Sequence, residues 1–151
     1  MRKELHWKLS PFSELAVNEL YDILHLRIKV FSIEQDCVYM DMDYKDQKAS
    51  HLLGYLDNTL VAYSRLFKSG DYFDTASIGR VIVAEEYRKY GYGHELVQKS
   101  IKGVISCFNE NAITISAQEH LKNFYGKHGF IQISESYLED GIPHIKMLKD
   151  S

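Results

Sequence analysis

The sequence predicts a single α/β domain built around a mixed sheet, and three observations carry that expectation. Short β-branched and aromatic runs recur along the chain, stretches with three-and-four apolar spacing interrupt them, and nothing between them reads as a linker. The 151 residues suit one hydrophobic core, and 45% hydrophobic with 26% charged residues describe a globular chain rather than a disordered one.

Leu5, Trp7 and Leu9 alternate with polar neighbours as a half-buried strand does, and Ser10-Pro11 ends the run. From Ser13 as N-cap, Val17, Leu20, Tyr21, Leu24, Ile28 and Phe31 trace one helical face. Residues 33–50 are acidic and irregular, with Glu34, Asp36, Asp41, Asp43 and Asp46, and predict a loop with at most a short helix. Two β-rich runs, 51–56 and 60–67, flank Asp57-Asn58-Thr59 as an antiparallel hairpin. A further run, Ala76 to Val83, leads through residues 84–90 into Gly91-Tyr92-Gly93. Beyond it Leu96, Val97, Ile101, Val104, Ile105 and Phe108 mark an amphipathic helix. Ala112 to Ala117 predicts a strand and Glu119 to His128 a helix stopped by Gly129. Phe130 to Ile133 and Ile142 to Leu148 predict closing strands, joined through a turn ending Asp140-Gly141.

Several function classes are disfavoured at once. A net charge of -3 supplies no whole-molecule positive field for nucleic acid. The longest apolar runs, such as Val81-Ile82-Val83-Ala84, fall far short of the roughly 20 residues that cross a bilayer. The first residues carry no apolar stretch or cleavage site, so the expected compartment is the cytoplasm, with Cys37 and Cys107 as reduced thiols. Asp41-Met42-Asp43-Tyr44-Lys45-Asp46 begins like a calcium loop, but Lys45 occupies a ligand position and Asp46 replaces the glycine. No His-Glu-x-x-His or paired-cysteine pattern is present, and no metal is expected.

Two segments carry chemistry. Between a strand and a helix lies Arg88-Lys89-Tyr90-Gly91-Tyr92-Gly93, where glycines let backbone N–H groups turn inward and the helix N-terminus adds its dipole. This suits a pyrophosphate cradle or, equally, an ordinary tight turn; a dinucleotide fingerprint lacks its third small residue at Leu96, and no P-loop follows. The second segment, Ser116 to Phe130, places Tyr125 on a helix leaving a strand end, where it can face a cleft or simply pack with Phe124 and Phe130.

Together the segments resemble the GCN5-related N-acetyltransferase (GNAT) superfamily. Arg88 to Gly93 matches its Arg/Gln-x-x-Gly-x-Gly/Ala coenzyme A loop, and Phe124-Tyr125-Gly126-Lys127-His128-Gly129-Phe130 its Tyr-x-x-x-Gly-Phe helix end. The chain is similar to the ElaA-like branch through Phe31 to Gln35, Asp43 to Gln47, Ser77 to Val83, Ser116 to Leu121 and Tyr137 to His144.

The resemblance implies an acyl-CoA N-acyltransferase fold: a mixed, mostly antiparallel sheet with helices on both faces, whose strand ending Val81-Ile82-Val83 splays from the one at Ile113 to Ala117. It implies acetyl-CoA as co-substrate, with pantetheine against backbone groups of Val81, Ile82 and Val83. Pyrophosphate would rest on N–H groups of Arg88, Lys89, Tyr90, Gly91, Tyr92, Gly93 and His94. Gln118, where many relatives carry Asn, and Asn123 join the implied cofactor contacts. Lys89, Tyr92 and Leu121 depart from the family's small residues at those positions.

The implied reaction is direct attack of a primary amine, on a small molecule or a peptide, in a ternary complex, with Tyr125 protonating the leaving thiolate and a backbone N–H near Val83 polarising the carbonyl. Glu34, His51, His120, Glu139 and His144 are the candidates for general base, Glu34 and His120 first; each histidine also suits a surface or hydrogen-bonded structural role. The alternative function is a noncatalytic CoA-binding or sensing module. Association into a homodimer is left open.

Overall fold

In the computed structural model, which describes residues 2–150, the strands join in one sheet. β1 (His6–Pro11), β2 (Ser50–Leu56), β3 (Thr59–Phe67) and β4 (Ala76–Val83) are antiparallel neighbours in that order. β5 (Ile113–Gln118) lies parallel to β4. β6 (Ile131–Gln132) and β7 (Tyr137–Glu139) both pair with β8 (Ile142–Lys149), which itself returns antiparallel to β5. The mixed, mostly antiparallel sheet expected from the sequence is therefore present.

Helices cover both faces. α1 (Val17–Arg27) buries Ile23 and Leu26 against Leu53, Tyr63 and Ile82, while α2 (Tyr92–Phe108) sets Leu96 against Leu52 and Ala62. Neighbouring strand residues such as Leu52 and Leu53 point to opposite faces, so α1 and α2 lie on opposite sides. α3 (Lys122–Gly126) joins α2's side, where Tyr125 packs with Val97, Ile115 and Phe130. Gly103 permits α2 to approach closely, since a Cβ there would lie 2.8 Å from Leu66 Cδ1. No helix among the described residues is long and apolar enough to cross a membrane.

Four elements differ from expectation. α1 starts after Ala16, whose N–H donates to Glu19 Oε1 at 2.8 Å, not at Ser13. Its buried stripe is Ile23, Leu26 and Arg27, continuing to Val30 in a π-helical turn, Ile28–Glu34; Val17 and Tyr21 are 85% and 72% exposed. The helix expected from Glu119 to His128 divides into a 3-10 turn, Glu119–Leu121, and the five residues of α3. β7 is a strand that its three residues were too short to announce; Asp140 and Gly141, both at positive φ, form the tight turn into β8.

The sheet opens in its middle. β4 and β5 pair only at Ala76 with Ile113 and Ser77 with Thr114, and beyond these pairs the strands diverge. β4 also carries an irregularity opposite Ser64, where Arg80 adopts a φ of 50°. An extra residue here bends the strand and increases its twist.

Candidate active site

The opening between β4 and β5 joins the two faces of the sheet. It holds a cavity of about 120 Å³, reached by Phe31, Gln35 and Tyr39 from α1's side and by Leu121 and Tyr125 from α3's side. Val81, Gln118, Glu139 and His144 also line it. Ala84 N–H donates to Val61 O at 2.8 Å on the β3 side, so strand alternation turns Val83 N–H and C=O toward the opening. The carbonyl is already engaged by Arg88 Nε at 2.9 Å, which leaves the N–H as the group Val83 can offer. Ile82 points elsewhere: it is buried against α1 with Tyr63.

Next to the opening, residues Glu85–Tyr90 form a 3-10 turn and Gly91, at φ 79° and ψ 9°, swings the chain into α2. The first intrahelical bond runs from Glu95 N to Gly91 O, so the N–H groups of Tyr92, Gly93 and His94 lack intrahelical partners, as at every helix start. An open helix start of this kind can hold phosphate oxygens. Tyr92 offers only its backbone there, because its ring is buried beneath Arg2 and its hydroxyl donates to Lys3 O. Tyr90 O accepts from Arg2 NH1, Lys89 is exposed, and His94 stacks on Phe124 and hydrogen-bonds to His128. The structure brings Arg88 to His94 together at one rim. Neither that rim nor Asn123 lines the cavity; Asn123 lies along a separate groove between α3 and β6.

Tyr125 is buried, with Phe124 and Phe130 set edge-on to its ring at 5.1 and 6.1 Å. Burial pushes its phenol above the ordinary value, so it holds its proton throughout the neutral range. Gln118 stands at the end of β5, its amide 3.4 Å from Gln35 Oε1.

The two residues placed first as general base are not on the cavity wall. Glu34 forms a bidentate pair with Arg88, at 2.5 and 2.9 Å, which engages both carboxylate oxygens. His120 is exposed on the 3-10 turn before α3. His51 is fully buried: Nε2–H donates to Asp46 O at 2.9 Å, so Nδ1 accepts from Tyr63 O–H at 2.6 Å. The remaining candidates, Glu139 and His144, do line the cavity, 3.4 Å apart.

The acidic segment is folded partly inward. Asp41, Asp43 and Asp46 turn inward to Arg27, Arg65 and Arg80, in a cluster where Arg27 and Arg65 are 0% and 1% exposed. Sequence reading missed these arginines because each lies remote in the chain from its aspartates.

A model of the acetyltransferase (GNAT) domain matches residues 14–151. The chain belongs to the GNAT family. It is 41% identical over 148 residues to the protein ElaA of Escherichia coli, covering 97% of both chains, and the crystal structure of Escherichia coli ElaA superposes with a TM-score of 0.90. An acyl-CoA N-acyltransferase from Pseudomonas aeruginosa superposes with a TM-score of 0.91 at 36% identity, over 96% of this chain and 99% of that one. A GNAT family acetyltransferase from Elizabethkingia anophelis with acetyl-CoA bound shares the fold at 17% identity, TM-score 0.67, over 99% and 100% of the two chains.

As a GNAT chain it has the expected splayed sheet, and the parts the motifs could not supply are Ser116, Tyr137, Arg65 and Arg80. Arg80, Ser116 and Tyr137 lay within the quoted ElaA-like segments, but only the fold shows Arg80 on Asp41 and the Ser116 and Tyr137 hydroxyls 2.6 Å apart.

Proposed function

We propose that this chain is an acetyl-CoA-dependent N-acetyltransferase that moves an acetyl group to a primary amine, on a small molecule or a peptide, by direct attack in a ternary complex. The observation that carries the reading is the opening between β4 and β5, with Tyr125 facing it from one side of the sheet and α1's turn from the other. A thioester entering along α2's side can meet there an amine entering along α1's side. The Elizabethkingia anophelis acetyltransferase, with acetyl-CoA bound to the same fold, supports this choice of donor.

Acetyl-CoA supplies the activated acyl thioester. The free N–H groups at the start of α2 suit its pyrophosphate, and Val83 N–H suits the thioester oxygen as it gains negative charge; removing such a donor elsewhere costs a few kcal/mol of barrier, about 3. Tyr125 donates a hydrogen bond and then its proton to the departing sulfur. A buried phenol is a weaker acid than a free thiol of pKa about 8.5, so the proton moves late, when the sulfur carries most of its charge. With no bridge between Cys37 and Cys107, the compartment proposed is the cytoplasm.

The test is thiol release from acetyl-CoA against amines, polyamines, amino acids and short peptides. Amine-dependent release is expected, reduced about a hundredfold in Tyr125→Phe with unchanged CoA affinity. Equal rates in the variant would remove Tyr125 as the acid. Tight CoA binding without release on any amine would favour a CoA-binding module.

A further inference from the structure

The β7–β8 hairpin delivers a hydrogen-bonded chain to the cavity. Ser116 has one hydroxyl hydrogen and gives it to Glu139 Oε1 at 3.1 Å, so Tyr137 O–H must donate to Ser116 Oγ at 2.6 Å. The other carboxylate oxygen, Oε2, stands 3.4 Å from His144 Nε2. His144 Nδ1–H donates to Ile142 O at 2.7 Å, so the neutral ring keeps its hydrogen on Nδ1 and presents a bare lone pair at Nε2. With the ring neutral, two acceptors face one gap and no hydrogen lies between them. A cationic N–H donor fits there.

The other charges on the wall are already balanced. Arg80 gives Nε to Asp41 Oδ1 and NH2 to Asp41 O, and Arg65 gives NH1 and NH2 to Asp43 and Asp46. Arg65 Nε has no partner among the described residues but is closed off from solvent. Three arginines oppose three aspartates, and the Lys45 and Lys146 ammonium groups lie over the Tyr72 and Phe73 rings at 5.6 and 5.4 Å, so the charge standing at the gap itself is that of Glu139. The rings of Phe31, Tyr72 and Phe73 supply an apolar wall.

We infer that Glu139 Oε2 and His144 Nε2 form an ammonium subsite selecting acceptors whose amine adjoins an uncharged, apolar or aromatic body, and that His144 takes the amine's proton. This rests on the acetyl-transfer reading. His144 Nε2 accepts one proton from R–NH3+, and the freed lone pair attacks the thioester carbon. The C–S bond then breaks, Tyr125 protonates the sulfur, and the second nitrogen proton returns to Tyr125. The products are the amide and CoA thiol, with one proton left on His144 for release to water. Glu139, held by Ser116, steadies the imidazolium. Among the other titratable groups at the cavity, burial holds Tyr39 and Tyr125 protonated, Arg65 and Arg80 are paired, and Cys37 Sγ donates to Asp140 O at 3.3 Å.

The experiment titrates 2-phenylethylamine, and separately phenylalanine, into the CoA-saturated protein, then repeats it with Glu139→Gln. Saturable binding of the amine is expected, about ten- to a hundredfold weaker in Glu139→Gln at unchanged CoA affinity, and at least about tenfold weaker for phenylalanine, whose carboxylate is brought beside that of Glu139. No amine binding, equal binding in the variant, or equal binding of phenylalanine overturns the subsite. Binding that depends on Glu139 but gives no acetyl transfer retains the subsite and removes the transferase reading instead. In turnover, His144→Gln should make the rate follow the fraction of amine unprotonated in solution; a wild-type pH profile in that variant removes His144 as proton acceptor.

Discussion

Glu34 and Tyr125 take their chemical characters from their neighbours. Glu34 faces the two terminal nitrogens of Arg88, whose Nε holds Val83 O, so its carboxylate helps to fix the strand end that borders the cavity. The pair is partly exposed, 39% for Arg88 and 28% for Glu34, and such pairs contribute about 1 kcal/mol or less. Glu34→Gln should therefore change kcat for acetyl transfer less than about threefold, measured at saturating amine; a hundredfold loss would restore Glu34 as the base. Tyr125 differs because aromatic rings rather than a charge surround it, and burial alone keeps its proton in place.

The elements that shape the site depend on a few backbone conformations. Gly91 links the 3-10 turn to α2 with a φ of 79°, where an L-residue is strained by about 1–2 kcal/mol, yet a Cβ there would meet nothing nearer than Arg2 NH1 at 3.5 Å. Gly91→Ala should then fold with a slightly lower melting temperature and keep much of its CoA affinity. Gly91→Asp sets a carboxylate at the first turn, which favours the helix but repels pyrophosphate, and should bind CoA at least about a hundredfold more weakly than the alanine variant by calorimetry. Equal affinities would remove the cradle. β4, β5 and α2 were legible because their apolar periods are local. The buried face of α1 was not, because Arg27 occupies it and Val17 and Tyr21 do not. The splay came from the resemblance alone: where two parallel strands stop pairing depends on no local pattern. Of the site, the glycine loop and Tyr125 could be read from motifs, while the Glu139–His144 pair needed the β7–β8 hairpin to bring it together.

Across the molecule, the Arg27, Arg65 and Arg80 cluster ties the acidic segment to α1, β3 and β4 and couples stability to pH. Burial would raise the Asp43 carboxyl, but the Arg65 guanidinium outweighs that and holds it at about 2, below the ordinary 3.8. Asp46 is likewise lowered, its burial outweighed by Arg27 and Arg65, whereas desolvation lowers His51 and keeps it neutral. All three groups bind protons more readily in the unfolded chain, so all three make acid destabilising. The His51 contribution is complete above its unfolded value of 6.5 and declines as pH falls below it. The Asp43 contribution, of order 2 kcal/mol, is complete above 3.8 and is lost as pH falls toward 2. Urea unfolding should show a midpoint that decreases gently below about pH 6.5 and steeply below about pH 4. Asp43→Asn should be less stable than wild type at pH 7, because Arg65 loses a charged partner, and should show a shallower decline below pH 4. A midpoint constant from pH 7 to pH 3, or parallel curves for the two proteins, would mean that the cluster does not set acid stability.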